Sequence, residues 1–370
     1  MNPKDKLKIA LLEFFLTETE LIIFVIRADD KESGVKDNEP IVIKSDVEAK
    51  EVESLVVYLR SEFKKIAYNK KKTEQVGMTQ FEKLGNKIFT KTLYNYIEHC
   101  DALYLVPFAD LHHLPMHAFK YEGKYIIDLF QIAYLPSASV LQYIKTKNPT
   151  NLNSKKTLLA VGVDYYDARK QFKHEAKRIY DLELWDTEKS VFLYGKNATK
   201  FNLLNESANK NVIHISTHGH FSQSDAFNSG IVLYNSDVTI ENVEGTDIIL
   251  SVTDIFENMT LDSELVVMSA CVTGQSDNRP GDELIGLTRS LLYAGANSLI
   301  VSLFPIFKNI TGHSTTKSDK ALTPFSTFYK FWIGENLAKG KALQRYIQEI
   351  KKVYPHPFNW FSMILVGNIY

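Results

Sequence analysis

Apolar runs of strand length alternate with amphipathic stretches along most of the chain, and this alternation predicts an α/β fold. The predicted strands are short aliphatic or aromatic runs, at residues 21–26, 102–107, 158–163, 190–194, 212–216, 265–269, 298–304 and 361–366. Residues 40–43 are the expected hairpin partner of the first strand. Apolar residues recur at helical spacing, which predicts helices, at residues 47–63, 79–99, 167–184, 282–293, 324–334 and 337–352.

The best candidate for a domain boundary is the segment 145–156, which reads KTKNPTNLNSKK. It is polar, contains Pro149 and has no periodicity, as is typical of a linker. The strand and helix pattern starts again after it. We therefore expect two halves, residues 1–150 and 151–370, each with helices flanking a sheet.

Composition excludes several classes of protein. Lys and Arg number 43 and Asp and Glu 44, so the basic excess of a nucleic-acid binder is missing. No glycine-rich phosphate loop follows a predicted strand. Cys100 and Cys271 lie far apart, without the spacing of a metal or disulfide framework, which favours a reducing, cytosolic compartment. The apolar patches near the first residue are interrupted by charges, so we expect neither a signal peptide nor a membrane span.

One pair of strands carries candidate chemistry. The strand 212–216 leads into Thr217, His218 and Gly219, and the strand 265–269 leads into Ala270 and Cys271. Sites in parallel sheets form at the carboxyl ends of strands, so neighbouring strands would bring the histidine and the cysteine together. An imidazole beside a thiol can remove its proton during attack and return one to a leaving amine.

Structural roles are the alternative for both residues. A cysteine at the end of an apolar strand is most often a small buried side chain. His214 and His220 lie two residues to either side of His218 and compete for the role of base. His214 lies inside the apolar run and has the pattern of a hydrogen-bonded core histidine, whereas His220 is expected past the turn. His218 directly precedes a glycine, which makes it the better candidate.

These residues resemble the CHAT family of caspase-like cysteine peptidases, relatives of separase. The matching segments occur in order along nearly the whole chain: LVP (105–107), LHHLP (111–115), YLPSAS (134–139), HISTHG (214–219), SACVTG (269–274), GDELIGL (281–287), LLYAGA (291–296), SLFP (302–305) and LVGN (365–368). Their histidine and cysteine stand about fifty residues apart, as in caspases.

The resemblance implies an inactive caspase-like half, residues 1–150, followed by a catalytic half, residues 151–370. Cys271 would be the nucleophile and His218 the general base of a dyad, and the backbone N–H groups of Gly219 and Cys271 would stabilise the oxyanion. His112, His113 and His356 would be structural. We expect no cofactor and assign no metal ligand. Calcium dependence stays open, because some related metacaspases need calcium although no EF-hand-like loop occurs in the sequence.

Two departures from the family bear on specificity and control. Phe304 stands where the family usually has Trp, and the acidic residue expected shortly after Pro305 is missing, since Phe307 and Lys308 lie there. We therefore expect an apolar P1 residue. An acidic P1 residue that meets Lys308 is the alternative, and a basic P1 residue is doubted. Asp282 is a further candidate for the substrate pocket. The helical repeats that often precede such domains are not expected here. Regulation would then come from a partner protein, from a separately encoded sensor, or from the predicted loops at 308–320 and after Cys271.

The function predicted from the sequence is cleavage of a specific protein substrate, with proteins encoded nearby as the first candidates, and without a nucleic-acid or membrane partner. Activation of an effector in bacterial antiviral defence, such as a gasdermin-like pore former, is a family-level expectation. The alternative is a catalytically silent scaffold that binds partner proteins.

Overall fold

The computed structural model describes residues 7–27, 40–67, 71–144, 155–164, 171–220, 222, 225–235, 248–271, 282–304 and 324–370. At positions 226, 270, 271, 282–285 and 324 only the backbone is described. The chain divides into two compact units. Unit 1 comprises Met1–Ile144, Ala338–Leu365 and Ile369–Tyr370, and unit 2 comprises Lys145–Leu337 and Val366–Asn368.

The N-terminal part of unit 1 contains seven strands and four helices among its described residues. They are β1 (Ile9–Leu16), β2 (Leu21–Arg27), β3 (Ile41–Ser45), α1 (Ala49–Ala67), α2 (Thr79–Ile88), α3 (Lys91–Ile97), β4 (Ala102–Val106), β5 (Lys120–Tyr121), β6 (Lys124–Tyr125), α4 (Ile126–Leu129) and β7 (Gln131–Tyr134).

The sheet of unit 1 has a parallel centre and an antiparallel edge. Strands β7, β4 and β1 are parallel neighbours, and β1, β2 and β3 follow as an antiparallel meander. Every residue of β4 and β7 is buried, as expected of strands covered on both faces. Helix α1 packs with a stripe of apolar side chains at helical spacing, namely Val52, Leu55, Val56, Leu59, Phe63 and Ile66.

Unit 2 contains, among its described residues, β8 (Leu158–Gly162), α5 (Gln171–Tyr180), β9 (Val191–Tyr194), α6 (Lys200–Ser207), β10 (Val212–His220), β11 (Gly230–Val232), β12 (Ile249–Ser251), α7 (Val252–Asn258), β13 (Leu265–Cys271), α8 (Asp282–Tyr293), β14 (Ser298–Ser302) and α9 (Pro324–Tyr329). A π-helical turn, Lys330–Gly334, continues α9. The strands β9, β8, β10, β13 and β14 form a parallel array in that order. Strand β11 pairs antiparallel with the C-terminal end of β10, and β12 pairs antiparallel with β11.

The C-terminal segment, α10 (Lys339–Val353) and most of β15 (Met363–Gly367), belongs to unit 1. The side chain of Gln344 donates to the carbonyl of Ile127 over 2.8 Å, and the ring of Phe358 stacks on Phe63 at 4.5 Å. The sequence division placed this segment in the second half. The predicted boundary near residue 150 lies outside the described residues, and the silent and catalytic roles of the halves stay a prediction.

The α/β class predicted from the sequence is confirmed, and the differences concern single elements. The predicted helix 79–99 is two helices, because Thr90 has extended backbone and its hydroxyl caps α3 at Leu93 N. Strand β1 was not predicted. Strand β10 continues to His220, so this histidine lies on the strand and not past a turn.

Within the described part of the chain, no helix combines the length and the apolar character that crossing a membrane requires.

Candidate active site

His218 and Cys271 occupy opposite positions on two neighbouring parallel strands. The register of β10 and β13 begins with Val212 opposite Leu265 and ends with His218 opposite Cys271. Adjacent strands lie about 4.8 Å apart, so the two backbone positions are direct neighbours at the carboxyl edge of the array. The side chain of Cys271 lies outside the described set, and the catalytic roles of both residues stay a prediction.

His218 lies where β10 changes its partner. On the side away from β13, the pairing with β8 ends with Ser216 opposite Gly162. Beyond that point β10 pairs with β11, Gly219 opposite Ile231. The longer strand therefore carries the histidine past the end of β8, toward the edge where sites form in parallel sheets.

Helix α5 covers the face of the sheet that carries His218. Its backbone approaches Gly162 so closely that a Cβ built there would lie 2.8 Å from the Cα of Lys173. The carboxylate of Asp164 accepts hydrogen bonds from the backbone N–H groups of Phe172 and Lys173, at 2.9 and 3.0 Å. This arrangement sets the ring of Phe172 edge-on against the His218 imidazole, with 4.7 Å between centroids.

One turn further along α5, Glu175 enters a buried polar cluster beneath the candidate dyad. The hydroxyl of Ser216 donates to its Oε1 over 2.7 Å, and Ser269 also hydrogen-bonds to this carboxylate. His214 Nε2 lies 3.2 Å from the same oxygen and its Nδ1 3.1 Å from the hydroxyl of Tyr329. Because a carboxylate only accepts, Nε2 carries a proton. His214 is fully buried, and its predicted role as a hydrogen-bonded core histidine agrees with these contacts.

The cluster holds Glu175 in its charged form. Burial has the largest influence and raises the pKa of this carboxyl, but hydrogen bonds from His214, Ser269 and Ser216, together with the attraction of His214, outweigh it. The net pKa of Glu175 lies below its usual value. Tyr329 is held neutral, because burial and the nearby Glu175 charge raise its pKa well above the ordinary range.

The predicted substrate-binding residues are only partly described. Phe304 is buried, two residues past the end of β14. Asp282 is the first residue of α8, and its side chain is not among those described. Phe307 and Lys308 lie outside the described residues, as do the loop after Cys271 and the loop 308–320. The structure therefore leaves the predicted pocket and the P1 preference as predictions.

Among the side chains that are described, no group of three or more His, Cys, Asp or Glu residues could hold a metal ion.

His356, predicted to be structural, has its Nε2 3.1 Å from the carbonyl oxygen of Val76. It also accepts from the N–H of Phe358.

Sequence reasoning missed Glu175, Phe172 and Ser269 as neighbours of the site. The first two lie on the helix predicted at 167–184, where a glutamate and a phenylalanine look like ordinary surface and core positions. Ser216 and Ser269 do carry a signal: each is a polar residue two positions before a dyad member, in a strand that begins with mainly apolar residues. That pattern indicates a shared polar partner on the covered face, but it does not say which residue supplies it.

No curated protein matches the chain. Two solved structures of the Saccharomyces cerevisiae separase–securin complex align with it at 13% identity and TM-scores of 0.46 and 0.47. The alignments cover 73% and 75% of this chain but 15% and 17% of the separase chains. This chain therefore spans less than a fifth of the length of these two separase chains.

The sequence profile of the CHAT domain matches residues 81–368. The matched region contains both strands of the candidate dyad, the helix that covers them and the C-terminal strand β15. It extends over well more than half of the chain, and the protein therefore belongs to the CHAT domain family.

Proposed function

We propose that the protein is a cysteine endopeptidase in which Cys271 is the nucleophile and His218 the general base. The observation that supports this most directly is the register of β10 and β13, which sets the two residues opposite each other at the carboxyl edge of parallel strands. Membership of the CHAT family, which is related to caspase-like peptidases, points to the same chemistry.

In the proposed reaction, His218 accepts the thiol proton as the Cys271 sulfur attacks the scissile carbonyl carbon. The imidazolium then gives that proton to the leaving amine, and water hydrolyses the thioester. The N–H groups of Gly219 and Cys271 would stabilise the oxyanion. The described register ends at His218 and Cys271, so Gly219 is the first β10 residue beyond it.

The finer part of the proposal concerns the substrate. The enzyme cleaves a defined site in one partner protein, encoded near it, and the cut activates an effector such as a gasdermin-like pore former in bacterial antiviral defence. Thiols stay free of disulfides in a reducing compartment, which supports the cytoplasm as the place of action. The favoured P1 residue is apolar. Phe304 stands where the family usually has Trp, and Phe307 and Lys308 lie where an acidic residue is expected after Pro305.

The experiment is coexpression of the full chain with each protein encoded beside it, with cut sites identified by mass spectrometry. We expect a single cut with wild type that is lost in Cys271→Ala and His218→Ala. Cys100→Ala and His220→Ala are the matched controls, since they remove the other cysteine and the nearest histidine on the same strand. Both controls should still cleave.

Each result has a separate meaning. A cut after Arg or Lys would support the peptidase and overturn the apolar-P1 argument, whereas a cut after Asp or Glu would favour a role for Lys308. Cleavage that persists in Cys271→Ala would refute the proposed nucleophile. No cleavage by any variant, with stable complexes formed by both wild type and Cys271→Ala, would favour the scaffold alternative.

A further inference from the structure

Glu175 connects three elements at one point. Its carboxylate accepts from Ser216 on β10 and hydrogen-bonds to Ser269 on β13, while the residue itself lies on α5. Ser216 and Ser269 are opposite each other in the register. Each stands two residues before a member of the candidate dyad, which is about 6.6 Å along a strand.

The cluster does not have the geometry of a second hydrolase site. In a Ser–His–acid triad the carboxylate and the hydroxyl bond to different ring nitrogens. Here His214 Nε2 faces both Glu175, at 3.2 Å, and Ser216, at 3.1 Å, while Nδ1 faces Tyr329. Ser216 is also fully buried, so its hydroxyl serves the packing of the sheet and not a substrate.

We infer that Glu175 is a positioning residue for the dyad: by holding Ser216 and Ser269 together, it fixes the spacing of His218 and Cys271 at the ends of β10 and β13. The inference rests on the proposed function, because it assigns a role relative to the proposed dyad. Glu175 does not touch the reacting atoms and acts through the two strands.

The chemistry of the side chain explains why a carboxylate stands there. Two oxygens that only accept can take hydrogen bonds from both hydroxyls and from His214 at once. Bonds to an ionised acceptor are about twice as strong as neutral ones. A glutamine of the same shape keeps one acceptor but turns an N–H₂ donor toward groups that already donate. Glu175→Gln therefore loosens the cluster without changing its volume.

Helix α5 gives the same residue a second influence on the site. Phe172, one turn before Glu175, contacts the His218 ring edge-on. A helix held against the strands by Glu175 keeps that aromatic contact, and a shift of about 1 Å in such a contact can cost about a hundredfold in rate. Loss of the carboxylate is thus expected to affect the orientation of the base as well as the spacing of the strands.

The test is the alkylation rate of Cys271 by iodoacetamide in the full chain, with Cys100 as the internal reference. In this reaction the thiolate displaces iodide and forms a carbamidomethyl thioether, which mass spectrometry quantifies at each site. An unassisted thiol with a pKa of about 8.5 is only about 3% ionised at pH 7. Assistance by His218 can therefore raise the rate by at most about thirtyfold, which His218→Ala removes.

We expect Glu175→Gln to lower the Cys271 rate about tenfold, within that limit, and to leave Cys100 unchanged. In the His218→Ala background the same substitution should have no further effect, because Glu175 acts through the dyad. The matched control is Ser298→Ala. Ser298 is a buried strand serine that donates to the carbonyl of Asn368, and its loss should leave the ratio of the two rates as in wild type.

The outcomes separate the two claims. If wild type and His218→Ala react equally, the proposed dyad is wrong and the positioning role fails with it. If Glu175→Gln reacts like wild type while His218→Ala does not, only the positioning role is overturned. If Glu175 only stabilised the fold, Glu175→Gln would change the Cys271 rate equally in the wild-type and His218→Ala backgrounds, and this result would also overturn the inference. Should Glu175→Gln not fold, Ser269→Ala removes a single bond of the cluster and must lower the Cys271 rate about threefold, or the inference fails.

Discussion

Replacement of Gly295 by alanine is expected to destabilise unit 2 by about 3 kcal/mol. This glycine ends α8: its N–H donates to the Leu292 carbonyl, and the next N–H, of Ala296, donates to Leu291. The two bonds form a Schellman motif, which calls for a left-handed residue at this position. The φ angle of Gly295 is +113°, a value that side-chain-bearing residues rarely adopt.

The magnitude follows from two contributions. Forcing alanine into this backbone conformation costs about 2 kcal/mol. In addition, its Cβ would lie 2.1 Å from the carbonyl oxygen of Leu261, so the segment around Leu261 must move. That segment is held by a hydrogen bond from Leu261 N to the Ala294 carbonyl, 2.6 Å long, and weakening it costs about 1 kcal/mol more.

Gly195→Ala is the matched control. Gly195 lies in the same unit and has a φ of +52°, but nothing lies within 4 Å of an added Cβ. It should therefore cost only the conformational strain, about 1 kcal/mol. For a unit of 150–250 residues, 1 kcal/mol corresponds to about 2–4 °C in melting temperature.

The assay is differential scanning calorimetry of the full chain, with hydrogen exchange of unit 2 peptides to assign the transition. We expect the unit 2 transition to fall by about 6–12 °C in Gly295→Ala and by about 2–4 °C in Gly195→Ala. Equal shifts in the two variants would show that the contact with Leu261 carries no cost and would refute this reasoning.

Three further predictions concern other buried positions. Tyr329→Phe removes the hydroxyl 3.1 Å from His214 Nδ1 and should lower the free energy of unfolding by about 1–3 kcal/mol, measured by urea titration; an unchanged midpoint would contradict the bond. Gly162→Ala places a Cβ 2.8 Å from the Cα of Lys173 and should cost about 1–3 kcal/mol by overpacking, seen as a lower melting temperature of unit 2. His117 is buried, and burial lowers its pKa to about 3, so the unfolded chain takes up a proton below pH 6.5 that the folded chain excludes. The free energy of unfolding of unit 1 should therefore fall by about 1.4 kcal/mol for each unit by which the pH is lowered between pH 6 and 4. His117→Asn should make this dependence on pH shallower in urea unfolding. Identical slopes in the variant and the wild type would argue against this role of His117.

Local sequence signals were sufficient to predict those helices and strands that neighbouring residues determine. The helix 282–293 has the bounds that its periodicity predicted, and Gly295 follows its end with a positive φ. The hairpin of β2 and β3 likewise follows from two apolar runs close together in the chain. In each case neighbouring residues decide the structure, through periodicity, capping or backbone conformation.

Boundaries were less predictable, because tertiary pairing extends or interrupts a local pattern. Strand β10 runs on to His220 since β11 supplies a new partner beyond the end of β8. The helix predicted at 79–99 breaks at Thr90, whose hydroxyl competes for the backbone N–H of Leu93. Neither outcome is visible in the hydrophobic pattern alone.

The sequence by itself determined the α/β class, the family motifs and the two strand ends that carry His218 and Cys271. It could do so because a buried parallel strand and the residue after it form one contiguous signal. Only the tertiary structure decided that these ends are in register and that Glu175, some forty residues earlier than His218, lies beneath them. A buried carboxylate needs partners from elements distant in the chain, and such partners are fixed by how helix and sheet pack, not by the order of residues.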